Sequence, residues 1–239
     1  MAQLKVFAET GADGGCLLFT FEPPGMLARG NSVEEALGQA SSAASRLDTF
    51  LAECGRPYPG AGPSPEILVA ETVKRRGKVA NGNTSVSFQK DKEPLEAEEI
   101  PRFLTVLAHQ RKELLDLKAE IPQETYGFKF LPHRKTIEEQ LKHIAACERW
   151  YLSRLWTDLP RLPRAKDVWE KLALNRELVE QVMQDLTPED RARVVGIEGE
   201  VWTCRKVLRR LMYHERFHID TTKRDLSMFL SGCRNDSEK

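Results

Sequence analysis

His214 and His218 stand four residues apart in the stretch Tyr213-His214-Glu215-Arg216-Phe217-His218-Ile219-Asp220. On a helix that spacing puts both imidazoles on one face, where they could ligate one divalent cation together. Cys204, Val207 and Leu211 precede them on the same stripe, so the pair is expected to face inward. A buried neutral imidazole needs a partner for at least one ring nitrogen. A shared metal would satisfy both rings, and so would core carbonyls or carboxylates. The chain holds five histidines in all. His143 sits in an earlier amphipathic segment beside Ile144, with Cys147 one turn later. If the two segments pack antiparallel, His143 faces the His214/His218 pair. Three histidines leave a coordination position open for water or substrate, the pattern of catalytic rather than structural sites. Cys147 reads as a buried thiol, with ligation of a soft metal as the alternative.

The letters H-E-x-x-H also spell the helix of zinc proteases, with Glu215 as base. Those enzymes need a third ligand downstream. No histidine follows His218, and Glu238 lies in the polar tail. Glu215 is therefore expected in a charge network with Arg209, Arg210 or Arg216, or in a hydrogen bond near the site. Glu148 is expected to be solvated, with support of a ligating histidine as the alternative. Trp150, Tyr151, Trp202 and Tyr213 are read first as core and second as lining near the histidines. His109 and His133 are read as surface or capping residues, His133 near the mouth of the site.

Four amphipathic segments must position these groups. Ile100, Phe103, Leu104, Leu107 and Leu114 share one face of the first. Ile137, Leu141, Ile144, Tyr151 and Leu155 do so in the second, after a capping-box spelling at Thr136 and Glu139. Val168, Leu172, Val179, Val182 and Leu186 mark the third, and Val207 and Leu211 the last. Four helices of about 20 residues each predict a four-helix bundle. Before them the pattern changes. Two strand-like runs, "QLKVFAE" and "GCLLFTFE", flank a glycine-rich turn, and "PPGMLARGNS" predicts a third strand. Ser32 and Glu35 open a helix that carries Ala36, Ala40, Leu47 and Leu51 and ends near Gly55. "PEILVAETV" predicts another strand, and "RRGKVANGNTSVSFQ", with Asn81-Gly82, a further strand or hairpin. The expected organisation is a small α+β domain over 1–90, a charged linker at 91–96, an all-α bundle over 97–232 and a frayed tail at 233–239.

With 36 basic and 36 acidic residues, the chain has no overall attraction to nucleic acid or anionic membrane. No apolar run is long enough to span a bilayer, and the first residues lack the pattern of a secretory signal. The five cysteines are scattered without a C-x-x-C pair, which suits a reducing cytoplasm.

Two resemblances add to this reading. "PPGMLARGNSVEEALGQA", after a glycine-turn hairpin, resembles the HicB-like antitoxin fold over roughly residues 1 to 75. That likeness implies a fold and a partner or dimer surface. No DNA-binding element accompanies it, so no toxin–antitoxin role follows. "TIEEQLKHIAACERWYL" and "EVWTCRKVLRRLMYHERFHIDTTKRDL" resemble helices of the DinB-like (damage-inducible-like) metalloproteins, a likeness spanning roughly residues 97 to 230. By position His143, His214 and His218 take the places of that family's metal triad. The resemblance implies nickel or zinc, and in several branches thiol-dependent S-transfer or isomerisation with a small cytoplasmic thiol. The family's glycine-glutamine after the last histidine is Asp220-Thr221 here. The expected function is a metal-dependent enzyme that activates a water or a small thiol. The alternative is a non-catalytic metal-binding scaffold whose N-terminal domain mediates dimerisation or partner binding.

Overall fold

The computed structural model describes residues 3–53, 55, 65–79, 85–131 and 134–232. The chain divides into two compact units. One comprises residues 1–106 with 187–210, and the other 107–186 with 211–239.

The first unit is built on a four-stranded sheet. Strands β1 (Gln3–Thr10), β2 (Cys16–Phe21) and β3 (Pro24–Gly30) form consecutive antiparallel pairs. Helix α1 (Val33–Glu53) then carries the chain to β4 (Glu66–Lys74), which lies parallel to β1, giving the order β3-β2-β1-β4. A parallel neighbour cannot be reached by a tight turn, so a crossover helix is required. The start of α1 uses both predicted residues. The Ser32 hydroxyl accepts the Glu35 N–H at 3.1 Å, while the Glu35 carboxylate accepts the Asn31 N–H at 2.8 Å. Small side chains at Ala36, Ala40, Ala43 and Ala44 fill the buried face of the helix. A Cβ at Gly30 would lie 2.4 Å from the Ala36 nitrogen, so only glycine permits this approach.

Phe7, Phe19 and Phe21 gather around Phe88, with ring centroids 5.5 to 6.2 Å from it. The Arg209 guanidinium lies 5.1 Å from the Phe19 ring and 4.9 Å from the Phe88 ring, and pairs with Asp91 through two bonds of 2.9 and 2.6 Å. Asp91 belongs to a short helix, α2 (Gln89–Lys92), and is fully buried, as is Leu95 to within 1%. The stretch expected as a charged linker is thus packed into this unit. Its charges are paired rather than solvated: Arg205 also binds the Glu99 carboxylate and the Pro94 carbonyl.

Among the described residues no strand lies between β4 and α2. Arg75 instead donates its backbone N–H to the Thr10 carbonyl and its side chain to the Lys78 carbonyl, which turns the chain there. Asn81-Gly82 lies outside the described residues. A short hairpin that the sequence reading did not anticipate occurs later, after α6 (Pro188–Arg191): β5 (Val194–Ile197) pairs with β6 (Glu200–Thr203). Its two-residue loop holds Glu198 and Gly199 at φ 53° and 81°, as a type I′ turn requires.

The second unit draws on four helices: the latter part of α3 (Ile100–Asp116), α4 (Ile137–Leu152), α5 (Val168–Gln184) and the greater part of α7 (Cys204–Leu230). The first three are somewhat shorter than expected, at 17, 16 and 17 residues. At α4 the predicted capping box forms, with Thr136 and Glu139 exchanging bonds of 2.9 and 3.1 Å. One apolar core joins Leu114 of α3, Ile137, Leu141 and Ile144 of α4, Leu172 of α5, and Ile219 and Leu226 of α7. In α5 Met183 is buried beside Val179, while Val182 is only half-buried, as is Leu186 beyond the end of the helix. No helix among the described residues is long and apolar enough to cross a membrane. The tail expected to fray, at 233–239, lies outside the described residues.

Removing one partner of a buried pair leaves an uncompensated charge, which costs about 3–5 kcal/mol. Asp91→Ala strands Arg209 in this way. Thermal unfolding of the variant is expected to begin well below that of the parent chain.

Candidate metal centre

α4 and α7 bring His143, Cys147 and His214 together, each offering a ligand atom within 4.8 Å of the others. The His143 and His214 Nε2 atoms are 3.1 Å apart. The Cys147 Sγ lies 3.5 Å from His143 Nδ1. His218 is not one of these three but packs beside them: its ring centroid is 4.6 Å from that of His214 and 5.2 Å from that of His143. Two of the three histidines named from the sequence, His143 and His214, thus share a donor group with Cys147, expected to be a buried thiol with ligation as the alternative, and the third, His218, packs against that group.

Helix periodicity explains the arrangement. His143 and Cys147 are one turn apart on α4, as are His214 and His218 on α7. His218 is buried, and His143, Cys147 and His214 are half-buried. Burial, reinforced by the neighbouring His143 and by Lys135, pushes the His218 pKa down to about 3. Burial and Lys135 also lower that of His143. Both rings are accordingly neutral at pH 7, the form that donates a lone pair to a metal.

Gln140, which drew no attention in the sequence, touches the far side of His218. Its Oε1 lies 3.5 Å from His218 Nδ1, a long contact that suits a proton on Nδ1 and leaves Nε2 as the lone-pair nitrogen. The Gln140 amide is oriented in turn by the fully buried Asp225, to which it donates at 3.0 Å. Gln140 is one turn before the core-facing Ile144, and that spacing was the only sign of it. Tyr151 borders the cluster, its ring 5.9 Å from that of His214. Trp202 is fully buried in the other unit, and Tyr213 is core. His109 is half-buried, and His133 lies outside the described residues.

Behind the histidines lies a ring of four buried charges. Arg111 of α3 donates to Glu215 at 2.7 Å and to Glu148 at 2.8 Å. Arg176 of α5 donates to Glu148 at 2.8 Å and to Glu215 at 2.5 Å. Each guanidinium also reaches a backbone carbonyl, Arg111 that of Leu172 and Arg176 that of Leu107. Glu148, expected to be solvated, is instead 3% exposed, and Glu215 takes the hydrogen bonds near the site that were the other expectation for it, from Arg111 and Arg176. Glu215 sits on the inward side of α7. Arg216, one residue round the helix, points to Glu113 and Asp220 instead. Burial alone would raise the Glu215 carboxyl, but Arg176 and Arg111 hold it below the usual range. Both its oxygens are bound to arginines, so it is no base for the cluster. The protease reading therefore lacks its base as well as its third downstream ligand.

Residues 107–221 match the family model of the DinB superfamily, a stretch that contains every member of the cluster and of the charge ring. No curated protein and no solved structure matches the chain.

Two outcomes follow. Glu215→Ala leaves two buried guanidinium groups half-paired and is expected to lower stability by about 3–5 kcal/mol, read from denaturant unfolding. On the outer side of α7, burial would raise the Glu113 carboxyl, but Arg216 and Lys223 overcome it and hold it at about 2. Because the folded pKa lies below the ordinary glutamate value of 4.5, this pairing stabilises fully above that pH. Its contribution is lost as pH falls from there towards 2. Glu113→Gln should cost about 1 kcal/mol at pH 7 and flatten the acid limb of the stability profile.

Proposed function

We propose that the second unit is a divalent-metal-binding, DinB-like four-helix bundle whose centre uses His143, His214 and His218, with Cys147 as a further donor. The observation that carries the reading is the convergence of two imidazoles and a thiol from two helices, with His143 and His214 Nε2 atoms 3.1 Å apart and the His218 ring packed beside them. Burial lowers the pKa of His143 and His218, so the cluster gathers neutral lone pairs without gathering charge. The donor set fits a borderline-soft cation such as zinc or nickel, which accepts imidazole and thiolate together. Such a cation would lower the pKa of a bound water or thiol and supply a nucleophile near neutral pH. The chain's own residues would hold and orient it. Gln140 and Asp225 would set the His218 tautomer, and the charge ring would fix the separation of α4 and α7. Within that reading the protein is a cytoplasmic enzyme of S-transferase, isomerase or hydrolase type, acting on a small molecule with a low-molecular-weight thiol as the candidate co-substrate.

Cys147 favours a second reading. Three histidines and a thiolate would complete a tetrahedral set and leave no position for substrate, as in structural sites. The protein would then be a metal-bound scaffold, with the HicB-like likeness of the first unit supporting dimerisation or partner binding.

Metal analysis of the purified full chain decides between these outcomes. The expected result is about one divalent ion per chain, as a single His-rich centre requires, lost in His143→Ala and His214→Ala. A parent chain that takes up no zinc or nickel would overturn both readings. In Cys147→Ala, retained metal and turnover with a panel of small thiols favour the enzyme. Lost metal favours the scaffold.

A further inference from the structure

α4 has a second flank, apart from the histidine cluster. On the side bearing Arg149, Trp150 and Ser153, a groove of about 790 Å³ lies between α4, α5 and the segment 159–166. That segment reads Leu-Pro-Arg-Leu-Pro-Arg-Ala-Lys and carries no acidic residue. Its prolines stiffen it, and Arg149 pins it to α4 by donating to the Pro160 carbonyl at 2.7 Å and the Leu159 carbonyl at 3.2 Å. The groove wall is therefore held before any ligand arrives, which lowers the entropic cost of binding.

Its lining combines charge of one sign with apolar surface. Arg161 and Lys171 face it, both exposed and neither in an ion pair with any described residue. No carboxylate lines it among the described residues. Trp150, Leu162 and Leu174 supply the apolar part. The Trp150 ring is steadied by the Arg154 guanidinium, 4.5 Å from its centroid, yet Trp150 stays 38% exposed. A neighbouring groove of about 690 Å³ differs in holding carboxylates: Glu138, which pairs with Lys142 at 2.6 Å, and Asp167 line it beside Lys118, Lys166 and the shared Lys171. Unneutralised cations in a concavity focus positive potential and attract anions. A large apolar side chain beside them favours a ligand with a body to bury.

We propose that this groove binds a small organic anion, a carboxylate or phosphate carried on a flat or aliphatic body. The charged end would meet Arg161 and Lys171, and the body would lie against Trp150, Leu162 and Leu174. The inference is independent of the metal centre, because none of these residues belongs to the cluster.

Calorimetric titration of the full chain with naphthyl phosphate, naphthol and inorganic phosphate tests it. The expected result is one saturable site for naphthyl phosphate that is tighter than for either fragment. Arg161→Gln combined with Lys171→Gln should weaken it by about tenfold, the loss of two partly screened charge contacts. His214→Ala should leave it unchanged. The proposal is overturned if naphthol binds as tightly as naphthyl phosphate, if the double variant binds like the parent, or if no saturable binding occurs. Loss of binding in His214→Ala would also overturn it, since it would place the ligand at the metal cluster.

Discussion

Four buried charges, one from each of four helices, constrain everything else in the second unit. Arg111, Glu148, Arg176 and Glu215 alternate in sign around a ring, and none is more than 6% exposed. Transferring such groups from water is expensive, and the cost is offset only when all four meet with good geometry. A ring of this kind adds little net stability over a well-packed apolar set of the same volume. What it does is penalise every other helix phase and register, because a shift of one residue would leave a buried charge without its partner. Glu148 follows Cys147 directly, and Glu215 follows His214. The contacts that lock α4 against α7 therefore set the distance between the histidines that those helices carry.

The separation of roles between neighbouring residues follows from helix geometry. Successive side chains point about 100° apart around a helix. His214 turns to the half-buried cluster, Glu215 to the charge ring and Arg216 to Glu113 at the outer edge. Three consecutive polar residues thus serve three environments. Spelled in one line they suggest a single catalytic motif, and the fold distributes them instead. The environments differ in dielectric as well as direction: His218 is kept neutral by burial, while Glu215, buried more deeply, is kept ionised by two guanidinium groups.

The first unit uses the same device on a smaller scale. Asp91 and Arg209 meet beside Phe19 and Phe88, and Arg205 closes on Glu99 and the Pro94 carbonyl. Composition suggests a solvated linker at this point, because charged residues and proline crowd together. Whether a charge is solvated or paired depends on a partner more than a hundred residues away, and local composition carries no trace of that. The β5–β6 hairpin was missed for a different reason. Its Glu198-Gly199 turn is a weaker signal than the Asn81-Gly82 dipeptide, which drew the hairpin assignment to a segment outside the described residues.

By itself the sequence determined whatever depends on separations of a few residues. The i, i+4 spacing of His214 and His218, the Thr136/Glu139 capping box, the apolar stripes of the four helices and the strand–helix–strand order at the start are all local patterns with a local physical cause. It also set His143 beside core-facing Ile144 on a second amphipathic stripe, from which an antiparallel neighbour could meet the pair. Only the tertiary structure decided the rest: Cys147 inside the cluster, Gln140 and Asp225 behind His218, Arg111 and Arg176 as the partners of Glu215, and along one groove two cations with no acidic partner among the described residues. The first three of these join residues far apart in the chain. They become neighbours only when burial of the apolar stripes brings the helices together, and the cost of burying unpaired charge selects the one register in which they fit.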